Sequence, residues 1–171
     1  MRTAQRFMSL TLFAAATAFA VQAHAKSDEA FMKDAAHAGA AEIEASKLAA
    51  TKARSAEVKN YANTMIADHT KVADELKALA ASKNVTLPDG PSVKQKAELK
   101  LIDAGDNDKF DERYVKHFGV QAHQDTIKLF EDAAKNAKDA EVKAWAGKTL
   151  PSLKHHLEMA QGLKVAPAAA K

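Results

Sequence analysis

An all-α chain folding as a four-helix bundle, with a long crossover that carries a short extra helix, is predicted by three observations. Ala, Lys, Glu and Leu dominate, while the 171 residues hold only 6 Gly and 4 Pro. Apolar residues recur at helical spacing in four long segments, and no segment alternates with period two as a half-buried strand would. One decisive break, Asn84 to Pro91 (NVTLPDGP), separates the four into two pairs.

Residues 1–25 read as a secretory signal peptide. Arg2 and Arg6 give a basic start, Leu10 to Val21 an apolar run, and Ala23-His24-Ala25 a small–x–small cleavage pattern. The run is shorter than the roughly 20 residues a spanning helix needs, and no later segment qualifies. A soluble protein exported to the periplasm is therefore expected, with no stable membrane span. The chain has 0 cysteines, so lipid attachment at cysteine and disulfides are both excluded. Losing Arg2 and Arg6 with the leader lowers the net charge from +3 to about +1. Lys alternates with Glu and Asp without a basic block or interleaved aromatics, a pattern of solvated helix faces and not of a nucleic-acid surface. Residues 26–164 are expected to form one domain and 165–171 a disordered tail.

The first helix is predicted from Ser27 or Asp28 to about Ala53, with Phe31, Ala35, Ala38, Glu42, Ala45 and Ala49 on a narrow face. Ser55 is a natural N-cap for the second, whose stripe is Val58, Tyr61, Ala62, Met65, His69, Val72, Leu76 and Leu79. Ser92 and Gln95 offer a capping box for a short helix ending near Ala104. A third long helix starts around Asp106 or Asn107. Its broad face carries Asp111, Tyr114, Val115, Phe118, Ala122, Leu129 and Ala133, with His123, Ile127, Phe130 and Ala134 along the edge. The fourth carries Val142, Trp145, Ala146, Thr149, Leu153, His156, Leu157 and Ala160, and Pro151 should bend it. A crossover of roughly 25 residues suits a return to the other end of the bundle.

Helices two and four open alike, AEVKNYA at Ala56 and AEVKAWA at Ala140, as two hairpins related by duplication would. Upstream, EIEASKL from Glu42 can be laid on HQDTIKL from His123, which gives the second hairpin a longer loop.

Four polar residues fall on or beside inward stripes: Glu42, His69, His123 and His156. A buried unpaired carboxylate or imidazolium is costly, so such groups find partners or stay near solvent. At a rise of about 1.5 Å per residue, all four fall in the central third of the bundle. Carboxylate oxygen with imidazole nitrogen suits a single transition-metal ion: zinc, copper, iron or manganese. Met65, one turn from His69, would add a soft ligand for Cu(I), though a Met on such a stripe is usually core. Asp68 would orient His69 or act as an outer hydrogen-bond acceptor behind the ligands. Asp111 reads as an acid in its helix's first turn, near Tyr114, or as a partner at the rim of the site. His37, His117 and His155 are expected to face solvent. The competing reading is a polar core in which each inward group has its own hydrogen-bond partner and no metal binds.

Met65-Ile-Ala-Asp-His69 together with Glu42 in Ala-Glu-Ile-Glu, Phe110-Asp111-x-x-Tyr114, Ala122-His123 and Leu150-Pro151 before His156 resembles an exported, ferritin-like bacterial family of domains of unknown function with a Met–x–x–Asp–His motif. The resemblance spans nearly all of the mature chain and implies a ferritin-like four-helix bundle. A di-iron ferritin site resembles two Glu plus two Glu–x–x–His motifs. Here Ile66 and Leu153 stand where those glutamates would be, which argues against ferroxidase or iron-storage activity.

Two functions follow as expectations: an exported bundle holding one transition metal, or a non-catalytic envelope or stress-related structural protein with a hydrogen-bonded polar core. No Ser–His–Asp order or Gly-rich phosphate loop supports an enzyme.

Overall fold

The computed structural model describes residues 27–104 and 109–165. The expected leader and positions 105–108 lie outside the described residues. So does the expected tail beyond Val165, which itself rests half-buried against the core.

Caps set the helix starts as local chemistry demands. Ser27 accepts from the Ala30 N–H at 3.2 Å and opens α1 (Asp28–Lys52), whose first turn carries Asp28 and Glu29 at the positive dipole end. Ser55 opens α2 (Ala56–Ser82) the same way, through the Val58 N–H at 3.4 Å. The capping box before α3 (Val93–Ala104) is formed: Gln95 Oε1 accepts from the Ser92 N–H at 2.9 Å. The third arm is composite. It runs through α4 (Phe110–Tyr114), a π-helical segment (Val115–Ala122) and α5 (His123–Asn136) without a break. Asp139 caps α6 (Ala140–Gly162), accepting from the Glu141 and Val142 N–H groups at 2.9 and 3.1 Å, and Pro151 lies inside that helix.

Two aspartates tie the ends together and define the topology. Asp111, at the start of the third arm, accepts from the Arg54 N–H at 3.0 Å and the Ser55 N–H at 2.8 Å, in the α1–α2 turn. Asp28, at the start of α1, accepts from the Lys138 and Asp139 N–H groups at 3.0 and 2.7 Å, in the turn before α6. The crossover with α3 therefore does return the chain to the other end, as expected. The third arm runs antiparallel to α1, and α6 antiparallel to α2. Both turns span three residues, Ala53–Ser55 and Ala137–Asp139, so the longer second loop expected from the EIEASKL match is not there.

The π segment corrects the predicted face of the third arm. Beyond it, His123, Ile127, Phe130 and Ala133 are buried, while Leu129 and the segment's own last residue, Ala122, are only half-buried. A wider turn of backbone re-phases every residue that follows. The edge of the predicted stripe becomes its centre. At this level the backbone comes close to α6: a Cβ on Gly119 would lie 3.0 Å from the Ala160 Cβ.

Two apolar clusters fill the bundle, one toward each end. Tyr61, Phe110, Tyr114 and Phe118 dominate the one at the α1–α2 turn. Phe31, Phe130 and Trp145 dominate the other, with ring centroids 5.1–6.0 Å apart. Each fully buried aromatic contributes about 2–3 kcal/mol of burial. Among the described residues there is no strand, and no helix is long and apolar enough to cross a membrane.

Candidate metal centre

Between the two clusters, α2, α5 and α6 each turn one imidazole inward. His69, His123 and His156 are buried, at 3%, 1% and 2% exposure, and their ring centroids lie 5.5, 5.3 and 5.6 Å apart. One ring nitrogen from each falls within 4.8 Å of the other two. Three of the four predicted ligands thus converge.

Hydrogen bonds on the outer edges fix the tautomers of two rings. A carbonyl only accepts, so the 2.9 Å contact of His123 Nδ1 with the Phe118 oxygen places the proton on Nδ1 and leaves the lone pair on Nε2. The His123 backbone N–H turns instead to the Val120 carbonyl, so the imidazole takes the carbonyl five residues back. His156 Nε2 likewise donates to Asp68 Oδ2 at 2.8 Å, leaving its lone pair on Nδ1. His69 Nε2, His123 Nε2 and His156 Nδ1 are all buried with no hydrogen-bond partner. This is the donor pattern of a metal face: neutral imidazoles, with the outer N–H of His123 and of His156 each held by an oxygen.

Electrostatics favours the same state. Burial holds His69 well below the ordinary imidazole range, with His123 and His156 adding repulsion. Burial lowers His123 to about 4, opposed by its bond to the Phe118 carbonyl. His156 is lowered by burial too, partly offset by the Asp68 carboxylate. Near neutrality all three rings are uncharged, which is the ligating form.

Glu42, the fourth predicted ligand, is not one of the group. Its Oε1 lies 3.5 Å from His123 Nδ1, on the side of the ring away from the lone pair. Nor is the contact an ion pair, because the Nδ1 proton is spent on Phe118 and burial pushes the Glu42 carboxyl well above its usual range. Both Glu42 oxygens are buried without a partner. A helical stripe reports that a residue faces inward; it does not report which edge of a neighbouring ring the residue will meet.

The supporting residues divide similarly. Asp68 orients His156 and not His69, since adjacent residues on a helix point about 100° apart. Met65 is fully buried within the apolar cluster of Val58 and Tyr61. Asp111 holds the α1–α2 turn and lies outside the cluster. Tyr114 bonds Ser46 across the bundle at 2.9 Å. Burial raises the Tyr61 and Tyr114 hydroxyls, and the nearby Glu42 raises them further. His117 and His155 are exposed as expected, but His37 is half-buried and its Nδ1 donates to the Gly90 carbonyl at 2.8 Å. The Phe118 carbonyl and the Ser46 hydroxyl were not legible as partners. The only trace of the first was His123 sitting oddly at the edge of its predicted face.

A cleft of about 700 Å³ opens between α1, α3 and the third arm, and Glu42 and Phe118 are in its lining. No curated protein and no solved structure matches the chain. The family of domains of unknown function called DUF4142 matches residues 13–163. An all-α bundle matched over most of its length in this way, with a buried three-histidine cluster able to coordinate a metal ion, belongs to the DUF4142 family.

Proposed function

We propose that the protein is an exported, periplasmic helical bundle that binds one transition-metal ion through His69 Nε2, His123 Nε2 and His156 Nδ1. The observation that carries this reading is that each of three buried imidazoles, which together bring one ring nitrogen apiece within 4.8 Å of the others, keeps a ring nitrogen with no hydrogen-bond partner. A hydrogen-bonded polar core would satisfy them individually, since an orphaned buried polar atom costs about 1–3 kcal/mol. An ion bonded to each at about 2.0–2.1 Å would draw the rings together by a contraction of order 1 Å, which side-chain torsions supply. Three imidazoles without a carboxylate suit zinc or copper better than manganese, and they leave a fourth coordination position for water or another ligand. The proposal is one of binding; no residue is assigned a catalytic role. Export rests on Arg2, Arg6, the apolar run and Ala23-His24-Ala25.

Calorimetric titration with zinc tests the reading. One site per chain is expected, with affinity reduced at least about 100-fold in His69→Ala, His123→Ala and His156→Ala, and about 10-fold in Asp68→Asn. Absence of binding, or binding indifferent to His69→Ala and His156→Ala, removes it. Export is read separately, by sequencing the N-terminus of the periplasmic protein, where Lys26 is expected first.

A further inference from the structure

The geometry points to the cleft between α1, α3 and the third arm as the route by which the metal centre is loaded, with Glu42 the carboxylate that passes the cation from the cleft floor to the His123 side of the cluster. This rests on the metal-binding reading above. Glu42 belongs to both places at once. It lines the cleft, and its Oε1 lies 3.5 Å from His123 Nδ1, so a cation leaving it passes the His123 ring to reach the open Nε2. It is 3% exposed, and neither oxygen has a hydrogen-bond partner. A buried carboxylate left without a donor is costly to keep, and a passing cation is a group that would satisfy it.

The rest of the lining fits a cation of the kind the histidines take. Asp34, Glu98 and Asp125 line the cleft with Lys94, which pairs with Glu98 at 3.7 Å, while Asp125 pairs with Lys128 at 3.6 Å and accepts from Gln121 Nε2 at 3.2 Å. His37 and His117 add imidazoles. Because His37 Nδ1 donates to the Gly90 carbonyl, its Nε2 keeps a lone pair. These donors form no compact set of their own: among the described residues the three-histidine cluster is the group that brings ligand atoms within 4.8 Å. A lining of the right charge and donor type without a closed site collects an ion and releases it onward. An excess of acidic over basic side chains in a cleft also raises the local concentration of cations, an effect that salt screens.

Stopped-flow mixing of the purified protein with Co(II) alone, read by the visible bands of the bound ion, gives the loading rate, and an EDTA chase gives release. Glu42→Gln is expected to slow both loading and release by the same factor, about tenfold, because a raised barrier acts in both directions. The double variant Glu98→Gln/Asp125→Asn, which leaves Glu42 and the three histidines unaltered, is expected to slow loading about threefold at low salt and negligibly at high salt. Wild-type loading rates in both, with normal bands, overturn the route and leave the metal centre standing. Loss of the bands in every protein, wild type included, overturns the metal reading and the route with it.

Discussion

In the first hairpin a helix of 25 residues turns through Ala53, Arg54 and Ser55 into α2; in the second the composite arm turns through Ala137, Lys138 and Asp139 into α6. Ala53 (φ −59°, ψ 143°) and Ala137 (φ −56°, ψ 140°) end their helices in the same backbone conformation. Each hairpin opens with an aspartate that grips the other's turn, Asp28 on Lys138 and Asp139, Asp111 on Arg54 and Ser55. Phe31 against Trp145 at one end answers Tyr114 against Tyr61 at the other. The middles differ. Measured from aspartate to turn alanine, the second arm is one residue longer than the first, and the π segment absorbs the difference. In that register His69 answers to Leu153 and His156 to Val72. The halves agree where they hold the fold together, and the imidazoles stand where they disagree.

Restoring equality between the arms should have the largest effect. Deleting the exposed Gln121 makes the third arm a regular helix, and His123 then cannot keep both its place opposite His69 and its bond to Phe118. Metal affinity is expected to fall at least about 100-fold, with a stability loss of about 2–4 kcal/mol. Calorimetry and urea denaturation measure the two, and wild-type affinity in the deletion would detach the π segment from the site.

Acid sharpens the comparison next, because the imidazoles belong to the differing middle. The folded-state pKa of His123 is depressed to about 4. The unfolded chain therefore binds the extra proton in the window below about 6.5, and stability present above that pH is lost as pH falls toward 4. His123 alone accounts for about 3 kcal/mol in metal-free protein, and His69 acts in the same direction. Glu42 opposes them. Its folded-state pKa is raised, so its contribution is present at low pH and is lost as pH rises through the folded value. Glu42→Gln should therefore steepen the acid loss, and denaturation in chelator between pH 7 and 4 follows it; a pH-independent stability would contradict the buried neutral rings.

The matched ends should respond least. Asp111 is buried and Asp28 only half-buried, so Asp111→Ala is expected to cost about 2–3 kcal/mol and Asp28→Ala about 1 kcal/mol. Thermal denaturation compares them, and equal losses would mean that burial does not separate the two clamps.

Much of this was legible from residues alone, for reasons that are local. Ser27, Ser55 and the Ser92/Gln95 box marked helix starts because capping involves only neighbours in sequence. The stripe of Val58, Met65, His69 and Leu76 marked an inward face because helical period is a property of one helix. Inward direction was right for Glu42, His69 and His156. It did not report which group Glu42 would meet: its Oε1 lies at the Nδ1 edge of His123, outside the three-histidine group. It nearly failed at His123, whose phase was displaced by a π segment that no apolar spacing announces. Asp68 sat beside His69 in the sequence and was read with it, yet its hydrogen bond crosses to α6.

By itself the sequence determined the helices, their caps, the crossover and the presence of costly polar groups in the seam, since propensity, capping and amphipathic period act within one segment. Tertiary structure decided which of those groups meet, which ring nitrogen His123 and His156 leave open, and that Glu42 stands behind His123 instead of beside it. Those outcomes depend on the rotation of one helix against another. A single added residue in the third arm changes that rotation by about 100°.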